Sequence, residues 1–192
     1  MKILVAVPTF ENICPEVFKA IYDLDPANHK LDFTFVKGYD CAKARNEIAK
    51  KAVGYDYVLM VDSDTIVPKE TIRWMLEEPV DICLGVCPRK NTKTEQTTLY
   101  KLGQYNFNDE YKYSELTDDR IVIKGGGFAC AMVRVEVFER LPYPWFQYVS
   151  YTNGSFLSED FYFCCQAEKY GITIWADTRV RCGHLARYFQ YK

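Results

Sequence analysis

The chain has 192 residues, a length typical of one domain. It carries 24 Lys and Arg against 26 Asp and Glu, a formal net charge of −2. This balance argues against nucleic-acid binders and anionic-membrane binders, which usually need a basic excess. Aromatic residues make up 16% of the chain, which excludes a disordered linker. We therefore expect a folded globular domain, without the run of about 20 apolar residues that a membrane span needs.

The eight cysteines lie mostly in apolar periodic segments, without paired C-x-x-C spacing. The opening MKILVAV has too short an apolar run for a secretory signal. Both features favour reduced core thiols over a disulfide scaffold and predict a cytoplasmic location. A zinc site at Cys83 and Cys87 is poorly supported, because neither a second cysteine pair nor clustered histidines accompany them.

Residues 1–87 show apolar strand patterns that alternate with amphipathic helix patterns. Such alternation implies right-handed crossovers and a mostly parallel sheet, hence an α/β fold. The predicted strands cover 2–7, 31–35, 57–61 and 81–86, and the predicted helices begin at Pro15, at about residue 44 with a stop at Gly54, and at Pro68.

Residues 88–192 are less regular. The polar, tyrosine-rich segment 88–119 predicts a long excursion or a short hairpin. Strands are expected at 121–123, 129–133, 173–176 and 180–182, with helices over 135–141 and from the N-cap Ser158 to Tyr170. Long irregular segments in compact domains are usually functional, which draws attention to 88–119 and to the aromatic loop 143–157.

The turn Asp62-Ser63-Asp64 follows the buried strand pattern YVLMV. Two carboxylates would thus lie at the carboxyl edge of a parallel sheet, where ligands bind in such folds. Hard oxygen ligands suit Mg²⁺ or Mn²⁺. A solvated acidic turn before a helix is the structural alternative. His184 would complete a metal site only if the fold brings it to Asp64; otherwise it is an ordinary histidine.

Other segments also admit a functional or a structural interpretation. The triplet Gly125-Gly126-Gly127 would let the backbone approach a ligand, or form a tight turn. Ser158-Glu159-Asp160 opens a helix, where acidic residues complement the dipole; a general base there needs partial burial to offset the dipole. Arg45 could contact a phosphate. Aromatic residues of the loop could stack on sugars or bases, or simply pack: Tyr143, Trp145, Phe146, Tyr148 and Tyr151.

Taken in order, these segments resemble a GT-A-fold glycosyltransferase, closest to the family 2-like group, over nearly the whole chain. The segments that carry the resemblance are ILVAVPTFEN, AKARNEIAKKA, VLMVDSD, GGGF, SEDFYFCCQAEKYG and CGHL. The resemblance implies a three-layer α/β sandwich with a mostly parallel central sheet, in one domain spanning 1–192. Residues 1–87 would form its nucleotide-binding half and 88–192 its acceptor-side half.

The resemblance also implies roles for single residues. Pro8, Thr9, Arg45 and Ser63 would bind the donor nucleotide, and Asp40 could reach its base. Asp62 would lie near the ribose and metal, Asp64 on the metal, and His184 on the metal or diphosphate. Gly125, Gly126 and Gly127 would line the donor sugar and acceptor. Asp160 would be the catalytic base, with Glu159 beside it.

The sequence departs from the family pattern in two places. Gly38-Tyr39-Asp40-Cys41 replaces the common D-D-G-S step, and no Q-x-x-R-W segment follows, which argues against a processive polysaccharide synthase. The chain stops eight residues past His184. Acceptor-binding elements are therefore expected from the loops 88–119 and 143–157, or from another subunit of a homo-oligomer.

The expected activity is metal-dependent transfer of a sugar from a nucleotide diphosphate sugar to an acceptor hydroxyl, with inversion if Asp160 is the base. UDP is the expected nucleotide and GDP the alternative; Mn²⁺ or Mg²⁺ is the expected cofactor. One competing hypothesis is a catalytically silent nucleotide-sugar-binding module. The other is a haloacid dehalogenase-like phosphatase with Asp62 as nucleophile, although that motif normally lies on the first strand.

Overall fold

A computed structural model describes residues 1–38, 40–89, 95–103 and 109–185. The helices are α1 (Pro15–Tyr22), α2 (Cys41–Lys51), α3 (Thr71–Glu77), α4 (Glu136–Arg140) and α5 (Glu159–Lys169). The strands are β1 (Lys2–Thr9), β2 (Lys30–Lys37), β3 (Tyr57–Val61), β4 (Thr65–Ile66), β5 (Ile82–Val86), β6 (Gln96–Tyr100), β7 (Glu110–Lys112), β8 (Arg120–Ile123), β9 (Gly125–Gly126), β10 (Cys130–Arg134), β11 (Val149–Ser150), β12 (Phe156–Leu157), β13 (Ile174–Arg181) and β14 (Gly183–His184).

Seven strands form the central sheet in the order β2-β1-β3-β10-β5-β13-β8. β1 pairs in parallel with β2 and β3, and β13 pairs in parallel with β5. β10 runs antiparallel between β3 and β5, and β8 runs antiparallel at the edge. β5 therefore has the same direction as β3, and five of the seven strands point the same way. The predicted mostly parallel α/β sheet is confirmed.

Helices cover both faces of this sheet, which gives the predicted three layers. Successive β1 side chains alternate between the two cores: Ile3 and Val5 enter one, and Leu4 and Ala6 enter the other. The first core contains buried residues of α1 and α3, and the second contains those of α2, α4 and α5. No helix in the described ranges is long and apolar enough to cross a bilayer.

The strand and helix predictions are confirmed in type, but α3 begins at Thr71 rather than at Pro68, and the short strands β9, β11 and β12 were not predicted. The late strands predicted at 173–176 and 180–182 are one strand, β13, with an irregularity after Asp177. The short pair β4 and β14 was not predicted. Ser158 is at the N-cap of α5, but its side chain makes no capping hydrogen bond. The segment 88–119 contains the antiparallel pair β6 and β7, while its residues 90–94 and 104–108 lie outside the described ranges.

The glycine triplet is explained in part by packing. Gly125 and Gly126 form β9, which pairs with β6. A Cβ added at Gly126 would lie 2.9 Å from Leu99 Cδ2 and 3.0 Å from the Thr98 carbonyl oxygen. The first contact is closer than real Cβ atoms come and the second is tighter than most, so the packing of β6 favours glycine here whether or not a ligand also does.

We therefore predict that Gly126→Ala destabilises the fold by about 1–3 kcal/mol, the usual cost of overpacking a filled site. Gly38→Ala is the matched control, because its Cβ would meet its nearest neighbour at 3.9 Å. Urea unfolding of both variants measures the difference in free energy. Equal stability of the two variants would contradict the packing explanation.

Candidate functional site

A cleft of about 180 Å³ opens where β1 and β3 end. This is the carboxyl edge of the parallel part of the sheet, where the sequence predicts ligand binding. The cleft is lined by Pro8, Thr9, Phe10, Gly38, Cys41, Ala44, Asp62, Ser63 and Asp64. The structure thus brings the predicted nucleotide-binding turn and the D-x-D turn to one place.

The pairing of β14 with β4 brings His184 to the D-x-D turn. His184 Nε2 lies 3.4 Å from Asp64 Oδ1, and the Leu185 N–H donates to the Asp64 carbonyl at 2.9 Å. His184 Nδ1 lies 3.1 Å from the Pro88 carbonyl oxygen, which can only accept, so Nδ1 carries a proton. In the neutral imidazole, Nε2 then presents a lone pair towards the Asp64 carboxylate. A proton or a shared cation on Nε2 would relieve this contact between two acceptors.

The donor set fits a divalent metal only in part. Asp64 and His184 supply a carboxylate oxygen and an imidazole nitrogen side by side. The Asp62 carboxylate instead accepts a hydrogen bond from Arg45. Within the described residues, no three His, Cys, Asp or Glu side chains are grouped as metal ligands. Two protein donors suffice for Mg²⁺ or Mn²⁺ where water and substrate phosphates complete the shell.

Arg45 lies at the centre of the site. Its guanidinium is 2% exposed and pairs with three carboxylates from two distant segments. Nη2 donates to Asp62 Oδ1 at 2.9 Å, while Nη1 donates to Asp160 Oδ1 at 2.7 Å and also to Glu159. The guanidinium fork is planar and permanently charged, which suits it to several carboxylates at once. Arg45 therefore joins the D-x-D turn to the start of α5.

The local charges set the ionisation of these groups. Burial opposes the charge of Arg45, but Asp160, Asp62 and Glu159 outweigh it and raise its pKa above the ordinary value. The pKa of Asp160 is raised to about 6, because burial and the neighbouring Glu159, which raise it, outweigh Arg45 and the Phe128 N–H, which lower it. A helix dipole lowers the pKa of a carboxylate in the first turn, so a base there needs burial to raise it again. Asp160 meets this condition.

Asp160 and Glu159 make different contacts. Asp160 Oδ2 accepts from the Phe128 N–H at 3.3 Å, and 19% of its side chain remains exposed. The Glu159 side chain is only 8% exposed, and burial together with the Glu159 charge raises the pKa of the Tyr148 hydroxyl above its ordinary value. Asp160 is thus the more accessible carboxylate, and the residue after the glycine triplet positions it.

Two predicted site residues have other contacts in this structure. The Asp40 side chain accepts from the Lys43 N–H at 3.1 Å, which caps α2. Arg45 lies beneath the cleft in its carboxylate cluster rather than over it. Their contacts with a nucleotide stay predictions, and Tyr39 lies outside the described residues.

Sequence reasoning missed several contacts of the site. Phe10 and Cys41 line the cleft, and the Phe128 N–H binds Asp160. Phe128 directly follows the glycine triplet, so its place in the chain was a usable signal. For Cys41 the sequence carried no signal, since a thiol in a helix is usually structural.

Comparisons with solved structures show the same fold. A197 from STIV is 14% identical with a TM-score of 0.67, and the match covers 97% of this chain and 87% of that one. GalNAc-T7, solved with UDP, GalNAc and Mn²⁺, is 10% identical with a TM-score of 0.64, covering 98% of this chain and 44% of its own. A mutant Drosophila β-1,4-galactosyltransferase 7, in complex with manganese, UDP-Gal and xylobiose, is 16% identical with a TM-score of 0.56, covering 97% of this chain and 71% of its own.

These neighbours and the central sheet define a GT-A-type glycosyltransferase fold. The profile of glycosyl transferase family 2 matches residues 17–142, about two thirds of the chain. The chain therefore belongs to glycosyl transferase family 2 and is a glycosyltransferase. The match includes Arg45, the D-x-D turn and the glycine triplet, but neither Asp160 nor His184. No curated protein matches the chain significantly.

We predict that Arg45→Gln destabilises the protein by about 3 kcal/mol at pH 7, because it leaves buried carboxylates without their cation. The loss should shrink near pH 5, where protonation of Asp160 removes part of the repulsion. Arg73→Gln is the control: its side chain is 61% exposed and pairs with Asp25, so we expect a loss of about 0–1 kcal/mol. Urea unfolding at both pH values checks this, and equal losses in the two variants would contradict it.

Proposed function

We propose that the protein transfers a sugar from a nucleotide diphosphate sugar, UDP-linked in preference to GDP-linked, to an acceptor hydroxyl with inversion. The observation that carries this proposal is the bridge through Arg45. One guanidinium reaches both Asp62 of the cleft and Asp160 of α5, at 2.9 and 2.7 Å. The bridge supports a site in which donor and acceptor chemistry are adjacent, as group transfer between two substrates requires.

The cleft at the ends of β1 and β3 would hold the nucleotide. Pro8 and Thr9 line one wall, and Asp62, Ser63 and Asp64 line the other. Asp64 and His184 would hold a divalent cation, Mn²⁺ or Mg²⁺. Such a cation would neutralise charge on the departing nucleoside diphosphate. Two of the neighbouring structures contain manganese and a UDP compound, which supports this choice of cofactor and nucleotide.

Asp160 would accept the proton of the acceptor hydroxyl. Its accessible carboxylate is held in place by Arg45 and the Phe128 N–H, so its orientation is set before substrate binds. A pKa raised to about 6 keeps it ionised at neutral pH while strengthening it as a base. With the base on one side, the acceptor oxygen would attack the anomeric carbon in line, from the face opposite the leaving nucleoside diphosphate. Such an attack inverts the configuration of that carbon. Glu159 would be a neighbouring contact to donor or acceptor, and Gly125, Gly126 and Gly127 would line the sugar side.

The competing hypotheses are less well supported. Asp62 is engaged by Arg45 and follows β3, inside the sheet, which disfavours a phosphatase that phosphorylates this residue. A silent binding module would retain the cleft but would not need an accessible carboxylate with a raised pKa at Asp160. A cytoplasmic location and a homo-oligomer stay predictions.

The donor assignment can be tested by nucleotide binding. Thermal unfolding with UDP, GDP, CDP or TDP, each with Mn²⁺ or with EDTA, should show a metal-dependent rise in Tm for UDP. Asp64→Ala should lose that rise, because it removes the carboxylate proposed to bind the metal. Asp81→Ala, at a carboxylate that pairs with Arg134 and Arg140, is the control and should keep it. Absence of a shift with every nucleotide would overturn the donor assignment.

The assignment of Asp160 as the base can be tested by its variant and by the pH profile. Asp160→Asn should lower sugar transfer by about 10²–10⁴-fold, the usual contribution of a general base, and leave the UDP-dependent rise in Tm intact. Wild-type transfer should increase with pH through about 6, as Asp160 loses its proton beside Arg45 and Glu159. Glu115→Gln is an exposed-carboxylate control. A wild-type pH profile without a limb near 6, or full transfer by Asp160→Asn, would reject Asp160 as the base.

A further inference from the structure

One edge of the central sheet is formed by β2, and its backbone is arranged to accept another strand. Among the residues that the structure describes, β1 is the only strand that pairs with β2. That pairing runs without a bulge from Lys30 to Lys37, so the outer side of β2 is a regular extended edge. Proteins usually protect such an edge with a bulge, a proline or lysines along it, because it is a template for strand pairing. β2 has no bulge and no proline, and its lysines stand only at its two ends.

The hydrogen bonds of β2 show which of its backbone groups point outwards. The Lys30 N–H donates to the Met1 carbonyl at 3.0 Å. Just past the other end of β2, the Gly38 N–H donates to the Thr9 carbonyl at 2.9 Å. The even-numbered residues of β2 therefore bond to β1, and successive residues of a strand direct their backbone groups to opposite sides. The residues that direct their N–H and carbonyl groups towards the open edge are thus Leu31, Phe33, Phe35 and Lys37.

Two of these outward-facing residues carry half-exposed aromatic rings. Phe33 is 50% exposed and Phe35 is 48% exposed. They are in register with Val5 and Val7 of β1, whose side chains enter the core that contains buried residues of α1. Paired residues of neighbouring strands point to the same face of a sheet, so both rings lie on the α1 side. The open edge of the sheet is therefore apolar on that side.

α1 adds two more exposed rings on the same side. Phe18 and Tyr22 are 54% and 78% exposed and stack on each other, with ring centroids 6.4 Å apart. Each follows a buried residue of α1, Val17 or Ile21, by about 100° of helix rotation. α1 connects β1 to β2, and in a right-handed crossover this flank of the helix faces β2. We call the resulting surface the β2 edge patch; it consists of Phe18, Tyr22, Phe33 and Phe35.

The β2 edge patch is large enough for a stable dimer interface. An aromatic side chain has about 150–250 Å² of surface, so the exposed parts of the four rings amount to roughly 400–500 Å² on one copy. Two copies that cover each other would bury about twice that area in rings. The paired strands between them bring the total above the roughly 1,000 Å² that a specific interface needs. A net charge of −2 gives little repulsion between two copies.

The strand β2 is also complementary to itself. In an antiparallel pair, opposite residues exchange hydrogen bonds when both direct their backbone groups into the gap. A two-fold axis at Thr34 would oppose Phe33 to Phe35 of a second copy, and Leu31 to Lys37. All four outward-facing residues then find partners, and no two like charges oppose each other. The phenylalanines of both copies meet on the α1 side of the sheet, which fits the apolar character of the patch.

We propose that the protein forms a two-fold symmetric dimer in which the β2 strands of two copies pair antiparallel around Thr34 and the two β2 edge patches cover each other. The central sheet then continues from one copy into the other. The paired β2 strands point in opposite directions, so the two donor clefts lie at opposite ends of the joined sheet and neither copy completes the cleft of the other. The inference is therefore independent of the proposed function.

Sedimentation velocity of the full chain tests whether this dimer forms. Wild type should dimerise with a Kd of about 10 µM or tighter. The double variant Phe33→Lys/Phe35→Lys should raise the Kd at least about 100-fold, because lysines would oppose each other across the axis. Tyr170→Lys, which removes a ring that is 45% exposed at the end of α5, is the control and should stay dimeric. Circular dichroism checks that each variant is folded. A double variant that dimerises as wild type does would overturn the proposal. A wild type that is monomeric up to about 100 µM would also overturn it and leave the edge to a strand of a different protein.

Disulfide cross-linking tests the register without the lysine variants. Thr34 would face its own copy as a non-hydrogen-bonded pair with Cα atoms about 4.5 Å apart, so Thr34→Cys should form a linked dimer with oxidised glutathione. Asp32→Cys is the control, because the two copies of this position would be about 13 Å apart along the strands. Both variants keep the same native cysteines, and non-reducing electrophoresis separates linked from unlinked chains. Linking of Asp32→Cys in place of Thr34→Cys, or of neither variant, would overturn the proposed pairing.

Discussion

The candidate site depends on one buried cation. Arg45 is 2% exposed, and a guanidinium so far from water is stable only with counterions and hydrogen-bond acceptors around it. Asp62, Glu159 and Asp160 supply them from segments almost 100 residues apart in the chain. Because the fold must deliver all three carboxylates to one point, the D-x-D turn and the start of α5 are held in register. This electrostatic requirement places the cleft lined by the D-x-D turn beside Asp160, the proposed base.

The sheet makes this arrangement possible. The parallel direction of β1 and β3 brings their carboxyl ends, and the turns after them, to one edge. β10 enters between β3 and β5 in the opposite direction, so the segment before it, with Phe128, reaches the same edge. The Phe128 N–H then meets Asp160. The antiparallel insertion thus adds a backbone donor to a site that parallel strands alone would not provide.

Local patterns predicted much of the fold because their causes are local. The alternation of β1 between two cores, the stop at Gly54 and the strand before Asp62 follow from burial and backbone preference within a few residues. The pairing of β4 with β14 was missed because each has two residues, too few to show a period. That short pairing nevertheless brings His184 to Asp64. Ser158 occupies the predicted N-cap position of α5, although its hydroxyl makes no capping hydrogen bond.

The sequence by itself determined the α/β class, the order of elements and the chemistry-bearing segments, because residue periodicity and motif order record them directly. Tertiary structure alone decided that Arg45 lies under the cleft and that Asp160 is the more accessible of two neighbouring carboxylates. Burial and charge pairing decide these features. Both depend on which distant segments meet, and no single segment of the chain contains that information.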